Sequence, residues 1–109
     1  MAGPDDDPPS QPTRAEVDAT PGPLVVEFGA AWCGHCQALA PRLAELLEQY
    51  PGVRHLKVED GPGLPLGRSF RVKLWPTLVF LRDGVVARQV ARPAAAEVRA
   101  GLEAIAAVG

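Results

Sequence analysis

The two cysteines of this 109-residue chain are the residues most able to do chemistry, and they stand three apart in Trp32-Cys33-Gly34-His35-Cys36. Residues i and i+3 share one face of a helix's first turn, close enough for two sulfurs to close a small disulfide ring. A thiol at a helix N-terminus meets free amide N–H groups and the positive end of the helix dipole, and both favour the thiolate. Cys33 is therefore read as the nucleophilic sulfur and Cys36, one turn further in, as the resolving one. Two plainer readings compete. Cysteines buried as small apolar side chains have no reason to straddle Gly34-His35 behind a tryptophan. Half of a zinc site would need a second cysteine pair, and His55 is the only other histidine.

These thiols need a strand before them and a helix behind them, and the sequence supplies both. Leu24-Val25-Val26-Glu27-Phe28 is a nearly continuous apolar run, the pattern of a strand covered on both faces. Gly29 to Gly34 reads as a turn. From Cys36 to Tyr50, Leu39, Leu43, Leu46, Leu47 and Tyr50 recur at helical spacing, and Pro51-Gly52 ends the run. Pro41 inside that helix removes one backbone hydrogen bond and predicts a kink. Val53 to Glu59 alternates as a second strand. Asp60 to Leu66 is a loop, and Gly67 to Val72 a short helical turn. Thr77–Leu81 and Val85–Val90 flank Asp83-Gly84 as a hairpin. Pro93 is placed in the first turn of a last helix that carries Val98, Leu102, Ile105 and Ala106. Upstream, Thr13 with Glu16 three residues on is a capping box for a short helix over Thr13–Thr20, which Pro21-Gly22-Pro23 ends. The order β-α-β-turn-β-β-α predicts an α/β fold with a central mixed sheet.

Composition narrows the function classes. Hydrophobic residues make up 47% and charged residues 22%, which fits a globular chain with one modest core. The net charge is −2, with no long basic run, so no nucleic-acid partner is expected. No apolar stretch reaches the roughly 18 residues of a membrane span, so no membrane partner is expected either. Six of the 12 prolines lie in the first 23 residues, beside Asp5, Asp6 and Asp7. Residues 1–12 are read as a disordered Pro/Asp-rich leader and residues 13–109 as a single domain. An acidic, proline-rich opening is the opposite of a signal peptide, which predicts a cytoplasmic location. Seventeen alanines, with nine Arg against two Lys, point to a GC-rich bacterial genome. With no apolar stripe left over, a monomer is expected.

At two places the residues carry a family resemblance. Val26-Glu27-Phe28-Gly29-Ala30-Ala31-Trp32-Cys33-Gly34-His35-Cys36, followed by Pro41, resembles the active-site segment of the thioredoxin family. Trp75-Pro76-Thr77, a hydrophobic strand and Asp83-Gly84 resemble that family's cis-proline strand and hairpin, at a similar separation. The likeness covers roughly Leu24 to Gly109. Gly34-His35 between the cysteines is similar to protein disulfide isomerase domains, whereas most thioredoxins carry Gly-Pro. The resemblance implies a thioredoxin-like three-layer sandwich, with about four strands flanked by helices.

It also implies roles for particular residues. Pro76 would follow a cis peptide bond facing Cys33, and Trp75, where the family has an aliphatic residue or Thr, would offer backbone groups to a substrate strand. Glu27 would be the buried acid beneath Cys36 that takes its proton, with Lys57 as charge partner. Trp32 would pack beside the sulfurs and shield them, and Ala91 would line the substrate groove where the family has Gly. Arg92 follows it, where isomerase domains often carry an Arg. His35 would favour the Cys33 thiolate and so make the couple less reducing than a Gly-Pro thioredoxin. The implied activity is thiol–disulfide exchange with disulfide-containing protein substrates, as reductase or isomerase. Such a cycle needs no cofactor or metal beyond the Cys33–Cys36 disulfide, recharged by a dithiol or a thioredoxin-reductase-like flavoenzyme. A thioredoxin-fold binding or chaperone module without turnover is the alternative, favoured by Trp75 and Ala91 and opposed by the intact CGHC.

Overall fold

Leu24, Val26 and Phe28 point to one side of a strand and Val25 and Glu27 to the other, and that alternation divides the interior in two. The computed structural model describes residues 11–106. In chain order the elements are α1 (Arg14–Asp18), β1 (Pro23–Gly29), α2 (Gly34–Glu48), β2 (Arg54–Glu59), α3 (Pro65–Ser69), β3 (Thr77–Arg82), β4 (Val85–Ala91) and α4 (Ala95–Ala106). The sheet runs β2-β1-β3-β4, with β1 parallel to β2 and antiparallel to β3, and β3 antiparallel to β4. The parallel pair needs the crossover that α2 provides.

One side of the sheet buries Leu24, Val26, Phe28, Val79 and Leu81 with Val17 of α1, Leu66 of α3 and Phe70. The other buries Val25, Leu78 and Phe80 with Leu39, Leu43 and Leu46 of α2 and Val98, Leu102 and Ile105 of α4. This is the expected three-layer sandwich. Arg14 ties α1 to the end of α3: its guanidinium lies 3.8 Å over the Phe70 ring and donates to the Ser69 carbonyl at 2.6 Å. No described helix is long and apolar enough to cross a membrane.

Several boundaries differ from the sequence reading. The capping box at Thr13 and Glu16 is present, with α1 limited to five residues. The helix α2 starts at Gly34 rather than Cys36, because Cys33 itself caps it, and it runs through Pro41 to Glu48. The helical turn expected at Gly67–Val72 starts two residues earlier, with Pro65 in its first turn. Pro93 lies before α4, not within its first turn. The Ala94 carbonyl accepts the first helical bonds, and the Glu97 carboxylate accepts from the Ala94 N–H at 2.9 Å, so capping falls after the proline. Residues 1–10 of the expected leader lie outside the described residues. Gln11 donates to the Glu59 carbonyl and accepts from the Leu66 N–H.

α4 lies close on the sheet because residue 101 is glycine. A Cβ there would fall inside contact distance of the buried Phe80 ring. Alanine is favoured in a helix interior by about 1 kcal/mol, but overpacking a filled core costs about 1–3 kcal/mol. Gly101→Ala is therefore expected to lower the unfolding free energy by about 1 kcal/mol in urea titration. A gain in stability would show that the Phe80 ring has room to turn away.

Candidate active site

The N-cap of α2 is the sulfur of Cys33. Cys33 has extended backbone angles, and its Sγ accepts from the Cys36 N–H at 3.2 Å, the place that Ser, Thr, Asp or Asn usually fills with oxygen. Its own N–H donates to the Ala30 carbonyl at 3.1 Å, which fixes the turn that leaves β1. The two cysteines are unlinked, and both are buried. Gly29 makes room for the second: a Cβ there would stand 2.6 Å from the Cys36 Sγ.

The two thiols are driven in opposite directions. The side-chain hydrogen bond from Cys36 holds the Cys33 thiol below its ordinary pKa against the opposing effect of desolvation, helped by the N–H groups of Cys36 and His35 and by the charge of Arg92. Burial pushes the Cys36 thiol up to about 11, with the bond to Cys33 and the negative charges of Cys33 and Glu27 adding to it. One sulfur gives up its proton more readily than an ordinary cysteine. The other keeps its proton until something takes it.

Glu27 is only 3% exposed and lies on the same side of the sheet as α2. Its Oε1 meets the His55 Nε2 at 2.7 Å. The charge partner expected from the sequence is Lys57, and the structure places His55 there instead. Both residues belong to β2 and point to the same side, because they are two apart, and both line an open pocket of about 400 Å3 with Glu27. Lys57 is the cross-strand neighbour of Glu27, but its long side chain is exposed while the shorter imidazole reaches the carboxylate.

The Trp75–Pro76 peptide is cis, and Trp75 shares a pocket with Cys33. Arg92 holds this dipeptide twice: its N–H donates to the Pro76 carbonyl at 2.7 Å and its Nε to the Trp75 carbonyl at 3.0 Å. The positive φ of Arg92, 47°, turns the chain so that both bonds form. Trp75 is half-buried, and its indole N–H donates to the Asp60 carboxylate at 2.9 Å. Trp32 is 75% exposed, so it does not pack into the core over the sulfurs. It stands edge-on to Trp75, with ring centroids 5.3 Å apart. A pocket of about 350 Å3 gathers Trp32, Cys33, His35 and Trp75 together with Lys73, Leu74 and Arg92. Pro76 lines an adjoining pocket with His35 and Arg92. Ala91 lines neither; it is the cross-strand partner of Thr77 at the end of β4. Sequence reasoning missed Lys73 and Leu74. Their position just before Trp75-Pro76 was the signal that could have found them.

The comparisons agree with this geometry. The Thioredoxin family model matches residues 11–104. The structure of thioredoxin 2 from Pseudomonas aeruginosa in its reduced form is 57% identical, with a TM-score of 0.78, covering 88% of this chain and 90% of that one. Thioredoxin Asp f 28 of Aspergillus fumigatus is 40% identical over 63 residues, 58% of either chain. A protein disulfide-isomerase A2 from Pongo abelii is 51% identical over 65 residues, which are 56% of this chain and 12% of that protein. The chain thus spans less than two thirds of the length of these two relatives. The family match, by contrast, runs through every described element except the last two residues of α4, and the chain belongs to the thioredoxin family.

Proposed function

We propose that the chain is a protein thiol–disulfide oxidoreductase acting through Cys33 and Cys36. The observation that carries this reading is a pair of unlinked thiols at the start of α2, the Cys33 sulfur capping the helix and accepting from the Cys36 N–H. The Cys33 thiolate attacks one sulfur of a substrate disulfide. The substrate's other sulfur leaves as thiolate and takes a proton, and a mixed disulfide remains beside Trp75 and Pro76. Cys36 then gives its proton to Glu27, and its thiolate attacks the Cys33 sulfur. The second substrate sulfur leaves, the substrate has gained two electrons, and Cys33–Cys36 is the disulfide.

An external dithiol, or a flavoenzyme of the thioredoxin-reductase kind, returns the pair to thiols. No other cofactor enters this cycle. Arg92 holds the carbonyls of the cis-proline dipeptide and adds positive charge beside Cys33. The His35 N–H favours the thiolate in the same sense, and a couple less reducing than that of a Gly-Pro thioredoxin is expected to follow. Reduction of insulin by dithiothreitol tests the reading. A catalytic amount of the chain is expected to speed precipitation of the insulin B chain, and Cys33→Ser to remove that acceleration. No acceleration by the unaltered chain, with both thiols titratable, would end it.

A further inference from the structure

The pocket around Cys33 has a neighbour on the far side of Trp75. Lys73 and Trp75 also form a wall of a second pocket, of about 460 Å3, that runs on to the end of α3. Four cations line this combined groove: Arg92 and Lys73 near the sulfur, then Arg71 and Arg68 beyond the tryptophan. All four are exposed, and among the described residues none of them makes an ion pair. His35 also faces the Cys33 end.

The single carboxylate in the groove is Asp60, and it is already engaged. It accepts from the Trp75 indole N–H and lies against Gly67, where a Cβ would collide with it. The backbone holds Arg71 in place: its φ is 59°, its N–H donates to the Arg68 carbonyl, and the next N–H donates to Gly67. Trp32, Leu74 and Trp75 make the end nearest the thiolate apolar. The charge of this groove opposes that of the whole chain, which is −2.

We infer that this groove selects disulfide-bonded protein substrates that carry Asp or Glu in the segment next to the attacked cysteine. The inference rests on the exchange reading above, since the disulfide itself brings that segment to Cys33. An extended chain advances about 3.3 Å per residue, so acids a few residues from the attacked cysteine pass Lys73 and reach Arg71 and Arg68. Complementary charge of this kind acts mainly on the rate of encounter and on discrimination among partners, and it weakens with salt.

The test uses three disulfide peptides that differ only in flanking residues: acidic, neutral and basic. At low salt, kcat/KM is expected to be at least about tenfold higher for the acidic than for the basic peptide. At 1 M salt the screening length falls to about 3 Å and the ratio should drop below about threefold. Arg68→Glu with Arg71→Glu should invert the low-salt order. Equal kcat/KM for the three peptides, or a preference unmoved by salt, would overturn the inference, and the salt arm needs no variant to fold. Serine-for-cysteine versions of the peptides, titrated by the fluorescence of Trp32 and Trp75, separate the two readings. Tighter binding of the acidic peptide, with none of the disulfide peptides turned over, would keep the groove and end the exchange reading. Equal binding of all three would end the groove.

Discussion

Cys36→Ser is expected to stop multiple turnover while leaving the first attack intact, so that substrate accumulates on Cys33 as a mixed disulfide. The serine hydroxyl can still donate to the Cys33 sulfur, and the N–H groups of residues 35 and 36 remain, so the causes that lower the Cys33 thiol largely persist. What is lost is the attacking sulfur of the second step. Well-oriented intramolecular groups act with effective molarities of about 10⁵ M or more. A thiol from solution at millimolar concentration cannot replace that. Turnover of a disulfide substrate should therefore fall by at least about a thousandfold. The adduct should appear by mass spectrometry as one substrate chain per protein, released by excess dithiothreitol. Failure to form any adduct with substrates that the unaltered chain reduces would show that Cys33 is not the entry point.

Much of this arrangement is legible in the sequence, and the reason is local. Capping at Thr13 and Glu16, the apolar run of β1, the helical recurrence of leucines in α2 and the Asp83-Gly84 turn are each set by neighbours within a few residues. Cys33 and Cys36 belong to the same class, since one helical turn brings them together. The misreadings arise where position depends on contacts far along the chain. His55 and Lys57 share a face of β2, and only the reach of each side chain decides which one meets Glu27. The grip of Arg92 on Trp75 and Pro76 depends on a positive φ that an arginine rarely adopts and that no local pattern announces. Arg68, Arg71 and Lys73 sit in an unremarkable stretch, and they matter because the chain after α3 folds back past Asp60 toward Cys33. Trp32 adjoins the sulfurs in sequence, yet it faces solvent rather than sheltering them, because its ring finds the edge of Trp75 and not the core.

Glu27→Gln is expected to slow release of substrate from the mixed disulfide by about a hundredfold near neutral pH, the lower end of what a positioned general base contributes. The sign of this effect is what makes it informative. Glu27 is one of the charges that raise the Cys36 thiol, so removing that charge alone would lower the thiol and speed the second step. A carboxylate that accepts the proton predicts the reverse. In the mixed disulfide Cys33 no longer carries charge, but burial, the largest cause, still holds the Cys36 thiol above its ordinary pKa, so at pH 7 unaided attack must wait for rare deprotonation. In the Glu27→Gln variant the release step should therefore climb about tenfold per pH unit from about pH 7 to 9, because hydroxide must now do what the carboxylate did. In the unaltered chain the same step should be much flatter over that range. Glutamine matches glutamate in size and can still bond His55, so the buried site beside β2 keeps its packing. Stopped-flow measurement of the second substrate thiol, after single-turnover mixing, separates this step from the initial attack. If the Glu27→Gln variant releases substrate at pH 7 as fast as the unaltered chain, or faster, Glu27 is reduced to a charge that tunes Cys36 without handling its proton.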